Sequence, residues 1–157
     1  MSQDSFNSPY YSCFISYSSK DTEFAEKLHD DLEAGGVECW FAPEDLGIGQ
    51  KVRDALDTAI LARRKLLLIL SQHSTASDWV EQEAETAFEK ERDSGETVLF
   101  PLRLDDTVFD LKVGWAAHIQ RTRNIGDFRN WQDPECYQKS LQRVLRDLTI
   151  EPVEKNV

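Results

Sequence analysis

The residues best placed to do chemistry are Trp79 and Glu83, four apart at the start of a helix-like segment that runs from about Asp78 to Arg92. That spacing puts an aromatic ring and a carboxylate on one helix face. On a helical wheel Val80, Ala84, Ala87 and Phe88 form the apolar stripe, with Glu83 on one flank and Glu81 on the other. The wheel does not choose between the two glutamates. Taken alone, the spacing better supports a structural reading, a half-buried Trp beside glutamates that suit the N-terminal end of the helix dipole.

Other chemistries find less support. Gly47-Ile48-Gly49 has Val52 where a dinucleotide fingerprint wants a third glycine, and there is no G-x-x-x-x-G-K-[ST] phosphate loop. A phosphoacceptor receiver needs an aspartate ending the central strand, where this chain has Ser71-Gln72. His29, His73 and His118 lie in separate segments without ligand spacing, His29 reading as a solvated side chain of a charged helix. Cys13, Cys39 and Cys136 are too few and too scattered for a disulfide framework or a metal knuckle, so no metal site is expected.

The elements that must position Trp79 and Glu83 alternate between strand and helix. Cys13–Tyr17 is a short apolar strand, followed by turn chemistry at Ser18–Asp21. Phe24, Ala25, Leu28 and Leu32 recur at helical spacing until Gly35-Gly36. Val37–Phe41 is a second strand. A loop from Ala42 to Gly49 leads to a helix with the stripe Val52, Ala55, Leu56, Ala59 and Ile60, closed by Arg63, Arg64 and Lys65. Leu66–Leu70 shows no polar alternation, the pattern of a strand buried on both faces. Asp78 and Glu81 are spaced as a capping box. Val98–Leu102 is a fourth strand, irregular at Pro101, and Thr122–Ile125 is expected as a short fifth. Residues 105–121 show no clear pattern. Asp133 and Pro134 open a last helix with the stripe Tyr137, Leu141, Val144, Leu145 and Leu148.

This order implies an α/β, flavodoxin-like three-layer sandwich around a central five-stranded parallel sheet. Ligands in such sheets bind beyond the C-terminal strand ends, here the loops at 18–21, 42–49, 72–77 and roughly 103–110. The 157 residues suffice for one domain, expected over 11–150, with a flexible segment at 1–10 and a tail or linker start at 151–157. The composition, 40% hydrophobic and 30% charged, is that of a soluble globular protein. A net charge of −11 argues against nucleic-acid or anionic-membrane partners. No run is long enough to span a bilayer and no leader is evident, so a reducing cytoplasm is the expected compartment.

Three segments in order resemble Toll/interleukin receptor (TIR) domains, over about residues 11–148. Phe14-Ile15-Ser16-Tyr17-Ser18-Ser19-Lys20-Asp21 looks like the family's first-strand signature. Trp40-Phe41-Ala42-Pro43-Glu44-Asp45-Leu46-Gly47-Ile48-Gly49 looks like its second strand and BB loop. Leu68-Ile69-Leu70-Ser71, then Ser77-Asp78-Trp79-Val80 and Glu83, resembles the third strand and an S-x-W-V-x-x-E motif of bacterial type. One departure is Ala42-Pro43, where many relatives carry an acidic residue; here the acids come at Glu44 and Asp45.

The resemblance implies either of two functions. One is cleavage of the N-glycosidic bond of NAD+, with NAD+ as substrate and no cofactor, in defence signalling. It implies Glu83 as the catalytic residue, and Ser18, Ser19, Phe41, Asp45 and Trp79 at the substrate. It also implies self-association with other TIR domains through the BB loop, Glu44, Asp45, Leu46, Gly47, Ile48 and Gly49. The other is a non-enzymatic adaptor that binds TIR domains. A small-ligand sensor on the same fold is a third reading.

Overall fold

A computed structural model describes residues 9–41 and 65–150. The expected 42–49 loop, with Glu44, Asp45, Leu46, Gly47, Ile48 and Gly49, lies outside the described residues, as do the helix expected over Val52–Ile60 and both chain ends (1–8 and 151–157).

Five parallel strands are described: β1 (Cys13–Ser16), β2 (Cys39–Phe41), β3 (Lys65–Leu70), β4 (Leu99–Arg103) and β5 (Gly126–Asp127). Their spatial order is β2-β1-β3-β4-β5, the doubly wound order expected of a flavodoxin-like sheet. The described helices are α1 (Thr22–Ala34), α2 (Asp78–Ser94), α3 (Thr107–Asp110), α4 (Gly114–Thr122) and α5 (Pro134–Leu148), with single 3-10 turns at Ser19–Asp21 and Ser74–Ala76.

Strand alternation divides the core between two sheet faces. Cys13, Ile15, Tyr17, Cys39, Leu67 and Ile69 pack with α1 and α5. Leu66, Leu68 and Leu70 pack with α2 and α4, joined by Phe14. All six residues of β3 are buried, as its unbroken apolar run requires.

Several boundaries differ from expectation, each for a local reason. Lys65 opens β3 instead of closing a helix; its Nζ donates to Thr97 O and lies 4.3 Å from the Tyr11 ring centre. The N-cap of α2 is Ser77, not Asp78, and its hydroxyl turns back to His73 O, so no capping box forms. Asp78 and Glu81 remain in the first turn, where the dipole favours them. Residues 105–121 hold α3 and most of α4. Thr122 ends α4, its hydroxyl bonded to His118 O, so the fifth strand comes later, at Gly126–Asp127. A Cβ at Gly126 would stand 2.6 Å from Leu102 Cδ2, so a larger residue there would displace that side chain. Pro9 and Tyr10, assigned to the flexible N-terminal segment, are held: Ile150 N donates to Pro9 O, and Tyr10 bridges Thr149.

Because β5 pairs only with Leu102 and Arg103, the rest of the β4 edge needs other partners. Leu104 N donates to Leu70 O and Leu66 N to Val98 O, so even-numbered residues face β3 and odd ones face the β5 side. Pro101 is odd, and its missing N–H falls on the open side, where a central-strand proline is tolerated. Leu99 is also odd: its N–H donates to Glu91 Oε2 and its carbonyl accepts from Arg123. Glu91 and Arg123 are joined by two 2.7 Å bonds and both are largely buried, so an ion pair covers the edge in place of a strand. Burial opposes ionisation of Glu91, but Arg123 and the Val98 and Leu99 N–H groups outweigh it and hold the carboxyl below its ordinary range. Arg123→Ala would strand that carboxylate and should cost about 3 kcal/mol. Urea unfolding at neutral pH reads this as a lower midpoint with an unchanged slope.

Candidate active site

The sheet's C-terminal edge is tied together by side chains from successive loops. After β1, Ser18 caps the 3-10 turn, its Oγ accepting from Lys20 N, while Ser19 O accepts from the Thr22 hydroxyl. Asp21, closing that turn, accepts from Ser71 Oγ at 2.5 Å, the residue that follows β3. Ser71 Oγ in turn accepts from the N–H groups of His73 and Ser74. Gln72 N donates to Asp105 of the loop after β4. The connection that launches α2 is therefore fixed from both sides.

On α2, Trp79 is half-buried against the Leu66-Leu68-Leu70 cluster. Glu81 is exposed, whereas Glu83 is only 4% exposed and accepts a hydrogen bond from the hydroxyl of Ser16, the last residue of β1. The ambiguity of the helical wheel is thereby resolved by β1: Glu83 is the glutamate turned onto the sheet. Burial pushes its carboxyl up from 4.5 to about 7, although the Ser16 hydrogen bond pulls it down. Among the described residues, Oε1 has Ser16 and Oε2 has no partner. A carboxyl this deep with one unmatched oxygen costs stability.

Of the residues proposed to touch a substrate, Glu83 and Trp79 share one sheet face, and Ser18 and Ser19 sit just past Ser16. Phe41 points to the opposite face, stacked on His29 at 4.6 Å and edge-on to Tyr17 at 5.3 Å. His29 is accordingly a packed ring, not a solvated one. Its neighbour Trp40 lies on the Glu83 face, 5.8 Å from Phe14. Asp45 lies outside the described residues. The sequence motifs do not single out Ser16. The signal was available in β1's alternation, which groups Ser16 with Phe14, away from Cys13 and Ile15.

Among the described residues, no group of three or more His, Cys, Asp or Glu is placed to hold a metal ion, and no helix is long and apolar enough to cross a membrane. A cavity of about 340 Å³ lies on the far side of the sheet edge, between β4, β5 and α5, away from Glu83.

These features define a doubly wound α/β domain with a buried carboxyl group at the C-terminal edge of its sheet. The family model of the TIR domain matches residues 13–145, and the chain belongs to that family. It is 28% identical over 124 residues to the stimulator of interferon genes protein of Magallana gigas, covering 78% of this chain and 30% of that protein. It is 29% identical over 100 residues to the NAD(+) hydrolase PdTIR of Paracoccus denitrificans, covering 63% and 33%. To the 2' cyclic ADP-D-ribose synthase AbTIR of Acinetobacter baumannii it is 27% identical over 95 residues, covering 60% and 35%. The chain thus spans about a third of the length of the curated relatives it matches. The TIR domains of the activated Roq1 resistosome share the fold, with a TM-score of 0.62 at 20% identity over 87% of this chain and 98% of that one.

The raised Glu83 pKa makes a signed prediction about stability. Below pH 4.5 the carboxyl is neutral in both folded and unfolded chains and exacts no penalty. Between 4.5 and 7 the unfolded chain loses its proton first, so stability falls, and above 7 the full penalty applies. Glu83→Gln should therefore be more stable than wild type at about pH 8, by an amount on the order of 3 kcal/mol, and should gain nothing on this account near pH 4. Paired denaturant titrations at the two pH values measure it.

Proposed function

We propose that this TIR domain is an NAD+ nucleosidase that cleaves the nicotinamide–ribose bond, with Glu83 as its catalytic residue. The observation that carries the reading is the Glu83 carboxyl, buried at the C-terminal edge, raised toward neutrality and, among the described residues, held through one oxygen. Similarity to an NAD(+) hydrolase and a 2' cyclic ADP-D-ribose synthase supports it.

One carboxylate suffices for this bond. Nicotinamide departs from the pyridinium ribosyl linkage as a neutral molecule, taking the bonding electron pair, so no acid is needed to protonate it. Ordinary glycosidases use a second carboxyl group for that purpose. Ionised Glu83 binds ribose hydroxyls and stabilises the positive charge that grows on the sugar. Water then adds to the anomeric carbon and releases a proton, giving ADP-ribose; attack by one of the molecule's own hydroxyls gives a cyclic isomer instead. A charge contact made mainly in the transition state is worth roughly 3 kcal/mol or more. Trp79 packs beside the substrate, and Ser18 and Ser19 contact the nucleotide. Self-association through residues 44–49 completes and activates the site, in cytoplasmic defence signalling.

The competing reading is a TIR adaptor acting by protein–protein contact alone, favoured by the match to the stimulator of interferon genes protein. An adaptor has no use for a destabilising buried carboxylate. Protein clustered on a scaffold and supplied with NAD+ should release nicotinamide, and Glu83→Ala should lower the rate by about a hundredfold or more. Absence of release from clustered wild type supports the adaptor; equal release from Glu83→Ala removes Glu83 from the mechanism.

A further inference from the structure

Ser16 is fully buried at the end of β1, opposite Leu68 of β3. Its neighbours on that face, among the described residues, are apolar: Phe14 on β1, Leu66, Leu68 and Leu70 on β3, and Val80, Ala84 and Ala87 from α2. Alanine would fill this position without a hydroxyl to desolvate, and a buried polar group costs stability unless it is bonded. The Ser16 hydroxyl donates to Glu83 Oε1. This hydrogen bond spans 67 positions in sequence, joining the strand that leads to Ser18 and Ser19 to the helix that carries Trp79 and Glu83.

We infer that Ser16 is the positioning residue of this site: its hydroxyl fixes Glu83 Oε1, so that Oε2 is the oxygen presented to the ribose. The inference rests on the NAD+-cleaving reading for its consequence in catalysis, but not for its geometry. A glutamate side chain has three rotatable bonds, and a carboxylate anchored through one oxygen at the helix–strand junction loses most of that freedom before substrate arrives. The same hydroxyl favours the ionised carboxylate, against the burial that disfavours it.

Few other charged groups compete for this role among the described residues. Asp78, Glu81 and Glu85 on α2 are exposed, as is Lys20 beyond β1. Asp21 is engaged by Ser71, and β3 and α4 present apolar side chains, Trp115, Ala116 and Ile119 among them. Among the described residues, burial raises the Glu83 carboxyl and the Ser16 hydroxyl lowers it.

The test is to follow the Glu83 carboxyl by ¹³C NMR across pH in wild type, Ser16→Ala and Ser16→Thr, together with steady-state nicotinamide release from clustered protein. The Glu83 midpoint should lie near 7 in wild type, move upward in Ser16→Ala and return toward the wild-type value in Ser16→Thr, which restores the hydroxyl. At pH 7, Ser16→Ala should lower kcat about tenfold, as loss of an orienting partner does elsewhere, with little change in KM. An unmoved midpoint in Ser16→Ala overturns the inference, as does a moved midpoint with unchanged kcat in an active protein. If wild type releases no nicotinamide, the enzymatic reading fails, and the NMR midpoints still decide whether Ser16 holds Glu83.

Discussion

The structure depends on burying β3 on both faces. A strand whose six residues are all inaccessible must lie between two others in the sheet and beneath helices on either side. That requirement places β1 and β4 as its neighbours, and it makes each connection a crossover that returns the chain to the same edge. Leu67 and Ile69 face the α1–α5 layer, while Leu66, Leu68 and Leu70 face the α2–α4 layer. The site follows from the second of these: α2 must lay Val80, Ala84 and Ala87 on those leucines, and Glu83, between them, is carried down to the end of β1.

The site inverts the economy of the core. Around it on that face, the described side chains Phe14, Leu66, Leu68, Leu70, Val80, Ala84 and Ala87 are apolar. At Ser16 and Glu83 a hydroxyl and a carboxyl occupy the same kind of space, and the carboxyl is left with one unmatched oxygen among the described residues. The penalty falls on the ionised form, which is the form the proposed chemistry needs. Ser16 offsets part of it and leaves the group close to half-ionised near neutrality. By contrast, the buried Glu91 has a bidentate guanidinium and two backbone N–H groups and is held firmly ionised. Two glutamates on one helix thus have opposite environments: Glu91 seals an incomplete sheet edge, and Glu83 stays available.

Much of this was legible in the sequence, because the strongest signals are those set by burial. Leu66–Leu70, the α1 stripe ending at Gly35-Gly36 and the Asp133-Pro134 start of α5 all appear where their patterns put them. What was not legible depended on partners distant in the chain. Glu81 and Glu83 flank one helical stripe symmetrically, and only the position of β1 separates them. Thr122 and Ile125 read as strand formers, yet Thr122 bonds back into α4 and the fifth strand comes down to two residues admitted by Gly126. Phe41 was grouped with the substrate contacts by resemblance, although its period-two relation to Cys39 already placed it on the α1 face, opposite Trp40.

The central claim is that an ionised Glu83, titrating near neutrality, performs the chemistry. The most direct measurement is kcat/KM for nicotinamide release from clustered wild-type protein across about pH 5 to 9, since that quantity reports ionisations of the free enzyme. The account predicts a rate that rises with pH through a single ionisation near 7 and then levels. A rate that is flat across this range, or that falls as Glu83 ionises, would contradict it.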